Sequence, residues 1–170
     1  MTTMATGCAC ASYKHLELLR DDVTTRIRET NKLRENLRHI EGAGRQGDAL
    51  YQCVSCGQLW QESLAWGWDT EDDTRYLFQV PTIPVHEWRQ SPFVRPHELL
   101  GFAAAIDRVT KGLSEKDEPC RTNGCIRKAV THSVFCLRHH IESLQKIRSV
   151  PSWPLGRWFP PYDERGFAPP

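Results

Sequence analysis

Residues 120–139 read CRTNGCIRKAVTHSVFCLRH, and the spacing of four side chains in that stretch decides the fold. The pattern is Cys120-x4-Cys125-x10-Cys136-x2-His139. Asn123-Gly124 lies inside the first pair and suits a tight knuckle. Glycine accepts a positive φ there and lets backbone N–H groups point at the thiolate sulfurs. Cys136 and His139 stand at i and i+3 on the first turn of a helix predicted to run to about Arg148, so both project to one side. The positive end of that helix favours thiolate charge. Three thiolates and one imidazole form a tetrahedral zinc set. Two other histidines compete for the fourth place. His140 reads as a half-exposed helix residue or a donor behind the ligands, and His132 as an outsider on the hairpin.

The arrangement resembles treble-clef zinc fingers, in which a knuckle and a helix N-terminus supply two ligands each. The resemblance implies a structural zinc at residues 120–140. The remaining cysteines extend the argument. Seven in all is an odd number, and six fall in close pairs: Cys8/Cys10, Cys53/Cys56 and Cys120/Cys125. Disulfides would leave one over, whereas seven thiolates plus His139 make eight ligands, enough for two zinc ions. Cys53-x2-Cys56-Gly57 after a strand reads as a zinc-ribbon knuckle, completed by Cys8 and Cys10. The alternatives are free thiols at Cys8 and Cys10, or a redox Cys-x2-Cys, although no βαβ context surrounds Cys53.

Outward from these motifs, apolar residues at Leu16, Leu19, Val23, Ile27, Leu33, Leu37 and Ile40 predict one long helix from about Tyr13 to Ile40, broken near Thr30. It packs within the chain or pairs two chains. Gly42, Gly44 and Gly47 end it. Strands are predicted at Ala49–Cys53, Gln58–Gln61 and Arg75–Val80. A helix opened by Pro96 runs from His97 to Lys111, and Glu115–Glu118 reads as a charged linker. The tail from Pro151 holds six of the eleven prolines and five aromatics, so it drapes over the body or hangs loose. The expected class is α+β: a small zinc-stabilised fold with a long N-terminal helix, a zinc-ribbon-like β element and a treble-clef-like finger. Its expected divisions are 1–112, 113–150 and 151–170.

The 170 residues carry 22 basic and 21 acidic side chains, a formal charge of +1. That balance excludes a wholly basic nucleic-acid coat or an acidic disordered chain. No run of about 18 apolar residues exists, so no membrane span is expected. Met1–Ser12 lacks the charged and apolar regions of a secretory signal. With paired cysteines, this points to a reducing cytoplasm. The charge is uneven, however. Residues 120–150 hold six Lys/Arg against one Glu, a net of +5, and residues 61–90 hold six acids against two Arg, a net of −4. Arg121, Arg127, Lys128 and Arg138 either meet nucleic-acid phosphates or offset the thiolate charge. Trp66, Trp68, Asp69, Glu71, Asp72 and Asp73 suit a basic protein partner, with tryptophan anchors and steering carboxylates, or form an ordinary acidic loop. Each zinc set already has four protein ligands, which describes a closed site. Pro119-Cys120 lacks deaminase spacing, and His86-Glu87 and His97-Glu98 lack the intervening residue of His-x-Glu. No nucleophile or phosphate-loop motif is present. A non-enzyme is therefore expected.

The stretch Tyr51-Gln-Cys-Val-Ser-Cys-Gly-Gln-Leu-Trp60 resembles zinc-binding immunity proteins of bacterial polymorphic toxin systems, where such a knuckle precedes an acidic, aromatic segment. The resemblance covers about residues 51–88. It implies a cytoplasmic antitoxin that binds a cognate toxin, such as a nuclease, and occludes its active site. The alternative is a nucleic-acid-binding regulator acting through residues 120–150.

Overall fold

The structure is a computed structural model, and it describes residues 8–13, 20–42, 47–65 and 75–162. Helix and sheet are mixed, an α+β architecture. The chain divides into two compact units. One takes the described residues up to Leu99 together with those from Leu155 on, and the other is Leu100–Pro154.

The first unit is built on four antiparallel strands in the order β1-β2-β3-β4: Leu37–Glu41, Ala49–Cys53, Leu59–Leu64 and Arg75–Val80. Consecutive strands pair, so the sheet is a meander. Strand β3 is buried along nearly its whole length because both faces of the sheet are covered. On one face, alternation brings Leu50, Gln61, Ser63, Tyr76 and Phe78 to the same side. Phe78 stacks on Phe159 at 6.1 Å, and Phe93 meets Phe159 edge-on at 5.1 Å. Gln61 is fully buried there. Its amide donates to the Phe93 carbonyl and its carbonyl accepts from Trp88 Nε1 and the Phe93 N–H. Trp88 belongs to a short helix α2, Val85–Gln90. From Leu155 the tail drapes over this face as far as Tyr162: Arg157 exchanges backbone hydrogen bonds with Pro92 and Val94, and Phe159 and Tyr162 are buried.

The opposite face holds Trp60 and Leu77, which pack with Cys10, Leu33 and Cys53. Helix α1, Arg20–Arg34, lies against β4. The long helix predicted from Tyr13 to Ile40 is thus corrected. Helix α1 has 15 residues, and Leu37–Glu41 is a strand. Tyr13 follows a 3-10 turn, Ala9–Ser12, in extended backbone, and residues 14–19 lie outside the described ones. The reason is physical. After the turn at Asn36, Leu37, Arg38, His39 and Glu41 pair with β2, with an irregularity at Ile40, so a sheet ladder takes over the backbone bonding that a helix would otherwise supply. The apparent break in the apolar stripe is also explained. Val23, Arg26, Thr30 and Leu33 form the buried side of α1, so two polar residues occupy it. Thr30 bonds back to the Arg26 carbonyl, and the Arg26 guanidinium lies 4.9 Å above the Tyr13 ring.

The division between units falls within α3, Pro96–Thr110. The second unit continues with β5, Glu115–Pro119, and β6, Lys128–Val130, an antiparallel pair, then α4, Leu137–Lys146. The expected charged linker is therefore strand β5. Its charges pair across and along the ribbon, Lys128 with Asp117 and Lys116 with Glu118. An almost fully exposed strand carries no apolar alternation to betray it.

Candidate metal centres

Two groups of four side chains can each hold a metal ion. In the first, Cys8, Cys10, Cys53 and Cys56 bring one donor atom apiece within 4.8 Å of one another. In the second, Cys120, Cys125, Cys136 and His139 do the same. All seven cysteines are free thiols, with no disulfide. Four thiolates so close cannot all ionise unless a cation sits among them, and soft sulfur donors in a set of four suit a thiophilic divalent ion.

The first centre joins two distant segments. Cys53 ends β2, and a turn through residues 54–56 carries the chain to Cys56. The Cys53 N–H donates to the Gln58 carbonyl at 2.9 Å, and the Gly57 N–H donates to the Cys53 carbonyl at 3.0 Å. Gly57 adopts φ +78°, as Gly124 does (φ +75°) at the other knuckle, a region that a Cβ disfavours. Burial pushes the Cys53 thiol up, but the N–H groups of Cys56 and Ser55 outweigh it and bring the pKa down to about 7. Cys10 lies in the 3-10 turn and Cys8 immediately before it in extended backbone. The Gln79 amide donates to the Cys10 carbonyl. Burial drives the Cys10 thiol strongly upward, with the Trp60 N–H acting in the opposite direction. The centre has a buried side, Cys10 and Cys53, and an open side, where Cys56 is exposed.

The second centre is local. The Cys125 N–H donates to the Thr122 carbonyl at 3.0 Å and closes the knuckle. Cys136 precedes the first residue of α4 in extended backbone. His139 Nδ1 lies 3.3 Å from both the Cys120 and Cys136 sulfurs, and the Cys125 and Cys136 sulfurs are 3.9 Å apart. Burial raises the Cys120 thiol, but the N–H groups of Cys136 and Thr122, with the Thr122 side chain and His139, pull it down to about 5. Glu142, one turn on, faces His139 Nε2 at 3.9 Å and also accepts from Arg138 at 2.9 Å. A carboxylate behind the distal nitrogen favours Nδ1 as the coordinating atom. His140 is half-buried and stands outside the donor set; exposed His132 sits in a turn at φ 60°.

The other sequence candidates are placed as follows. Arg121 and Arg127 are exposed on the knuckle. Lys128 is engaged by Asp117 and Arg138 by Glu142. Trp66, Trp68, Asp69, Glu71, Asp72 and Asp73 lie outside the described residues. Sequence reasoning misses Gln79 and Glu142 around the centres, and it places Trp60 beside the Cys53/Cys56 knuckle without a role at the metal. Only Glu142 leaves a signal, its i+3 spacing from His139. No described helix is long and apolar enough to cross a membrane. No family model matches the chain, and no curated protein and no solved structure matches it.

Proposed function

We propose that the chain is a non-enzymatic, zinc-stabilised protein of the cytoplasm that binds a partner protein. The observation that carries this reading is the closure of both centres: each gathers four protein donors, sulfur predominating, with no place kept for a substrate or a reactive water. We read the first as zinc-ribbon-like, with an added 3-10 turn supplying two ligands, and the second as treble-clef-like. Zinc in such sets contributes folding energy, on the order of 10 kcal/mol or more of apparent binding free energy per site at neutral pH. Free thiols in close pairs suit a reducing compartment.

The partner in this reading is a cognate toxin, as the resemblance of Tyr51–Trp60 to immunity proteins implies. Exposed aliphatic side chains lie near ligands of the second centre: Ile126 is fully exposed, and Val134 and Leu137 are more than a third exposed. They favour protein contact over phosphate contact. The nucleic-acid reading is weaker because ion pairs already occupy Lys128 and Arg138, which leaves Arg121 and Arg127 of the four candidate cations.

The test is affinity capture from the native host with zinc-loaded and chelated chain. A stoichiometric protein retained only by the loaded chain is the expected result. Nucleic acid retained with a steep salt dependence would shift the assignment to the alternative. Turnover of a substrate at either centre would contradict both.

A further inference from the structure

We propose that Trp60 belongs to the first metal centre, its indole N–H donating to the Cys10 sulfur and holding that sulfur as a metal-bound thiolate. The inference rests on the zinc reading above and names the side chain that orients one of its ligands.

Trp60 is fully buried, and its Nε1 is the one buried side-chain nitrogen or oxygen among the described residues without a hydrogen-bond partner. Buried donors in native folds nearly always find an acceptor, and a sulfur accepts at a longer distance than oxygen. The sulfur at hand is that of Cys10. Trp60 packs in one buried cluster with Cys10, Cys53, Leu33 and Leu77.

The sheet register explains how the ring is aimed. Trp60 on β3 stands directly across from Gln79 on β4. Gln79 donates to the Cys10 carbonyl, so the two cross-strand neighbours address one cysteine, one at its backbone and one at its sulfur. Tyr13 closes the other side. Its N–H donates to the same Cys10 carbonyl at 3.3 Å, and its ring meets Trp60 edge-on at 5.4 Å.

The chemistry separates Cys10 from its companions. Cys53 receives N–H groups from the backbone of Cys56 and Ser55, and Cys56 receives one from Gln58. Cys10 sits in a 3-10 turn and receives its donor from a side chain. A metal-bound sulfur is a good acceptor, so the buried indole N–H, otherwise without a partner, finds one at Cys10.

The experiment replaces Trp60 alone with benzothienylalanine, which keeps the ring shape and loses the N–H, alongside Trp60→Phe. Zinc affinity at each centre and the thiolate-to-metal charge-transfer bands of the cobalt(II) form are read in both variants and in wild type. We expect zinc affinity at the first centre to fall roughly ten- to a hundred-fold. The bands of that centre should move to longer wavelength in both variants, with the second centre and far-ultraviolet circular dichroism unchanged. A wild-type chain that holds two zinc ions, with an isosteric variant whose affinity and bands are unaltered, would overturn this inference alone. A wild-type chain that holds no metal at Cys8, Cys10, Cys53 and Cys56 would overturn it together with the zinc reading.

Discussion

The two centres use similar donors to solve opposite problems. The first joins segments more than 40 residues apart and fastens a short turn to a sheet that is already buried on both faces. The second gathers its ligands from 20 consecutive residues and holds together a short ribbon and a helix. Strand β6 has three residues, β5 is almost wholly exposed, and Ile126 projects fully into solvent. Few apolar side chains lie on that ribbon, so in the proposed reading a bound metal would order it. Around the first centre, Trp60, Leu77 and Leu33 are buried in an apolar cluster of the sheet and α1. A metal site can thus create order in one region and merely dock a segment in another.

The largest expected effect breaks this symmetry directly. Chelation should strip amide-exchange protection from β5, β6 and α4 while β2, β3 and β4 keep theirs; equal loss in both regions would refute the comparison. The apparent binding free energy forfeited at the second centre is on the order of 10 kcal/mol. Single substitutions sharpen the point. Cys136→Ser and Cys10→Ser should each lower the zinc count from two to one by native mass spectrometry. Only Cys136→Ser should unfold the ribbon, whereas Cys10→Ser should expose the N-terminal turn to proteolysis.

Two predictions concern the first unit, whose order does not depend on metal alone. Glu62 is 3% exposed and paired with Arg34 and, at 3.9 Å, with Arg75. Its removal leaves Arg34 and Arg75, each about a third exposed, to be taken over by water, so Glu62→Ala should cost about 1–3 kcal/mol in denaturant unfolding. An unchanged midpoint would show that the pair contributes nothing. His97 shares a 2.8 Å hydrogen bond with Tyr76, and burial, with Arg95 beside it, lowers its pKa to about 4. The unfolded chain takes up a proton near pH 6.5 that the folded chain refuses until about 4, so stability falls as pH drops through that window. The loss approaches about 3 kcal/mol at full protonation. His97→Gln should flatten the profile there; an unchanged slope would assign the acid sensitivity elsewhere. The smallest effect is expected of Ile126→Ser. Its side chain is fully exposed, so the melting temperature should correspond to a change within about 0.5 kcal/mol. A large drop would mean that the knuckle is packed.

Much of this organisation is legible in the sequence because close Cys spacings dictate local geometry. The knuckles follow from Cys53-x2-Cys56-Gly57 and Cys120-x4-Cys125, and the pairing of Cys136 with His139 follows from helical periodicity. Strand Arg75–Val80 is legible for the same kind of reason, being short, apolar and bounded by proline. What escapes is set by tertiary pairing. Leu37 and Ile40 look helical until β2 claims them as an edge strand. Strand β5 carries its charges in cross-ribbon ion pairs. Trp60 lies four residues beyond Cys56, but its packing on Cys10 comes from the distant N-terminal turn, which no local pattern encodes.

The central claim is that two closed zinc centres hold this fold. Native mass spectrometry of the chain purified under reducing conditions tests it most directly. The account predicts two zinc ions per chain, one lost in Cys10→Ser and the other in Cys136→Ser. A wild-type chain that carries fewer than two, or that pairs these cysteines in disulfides, would contradict it.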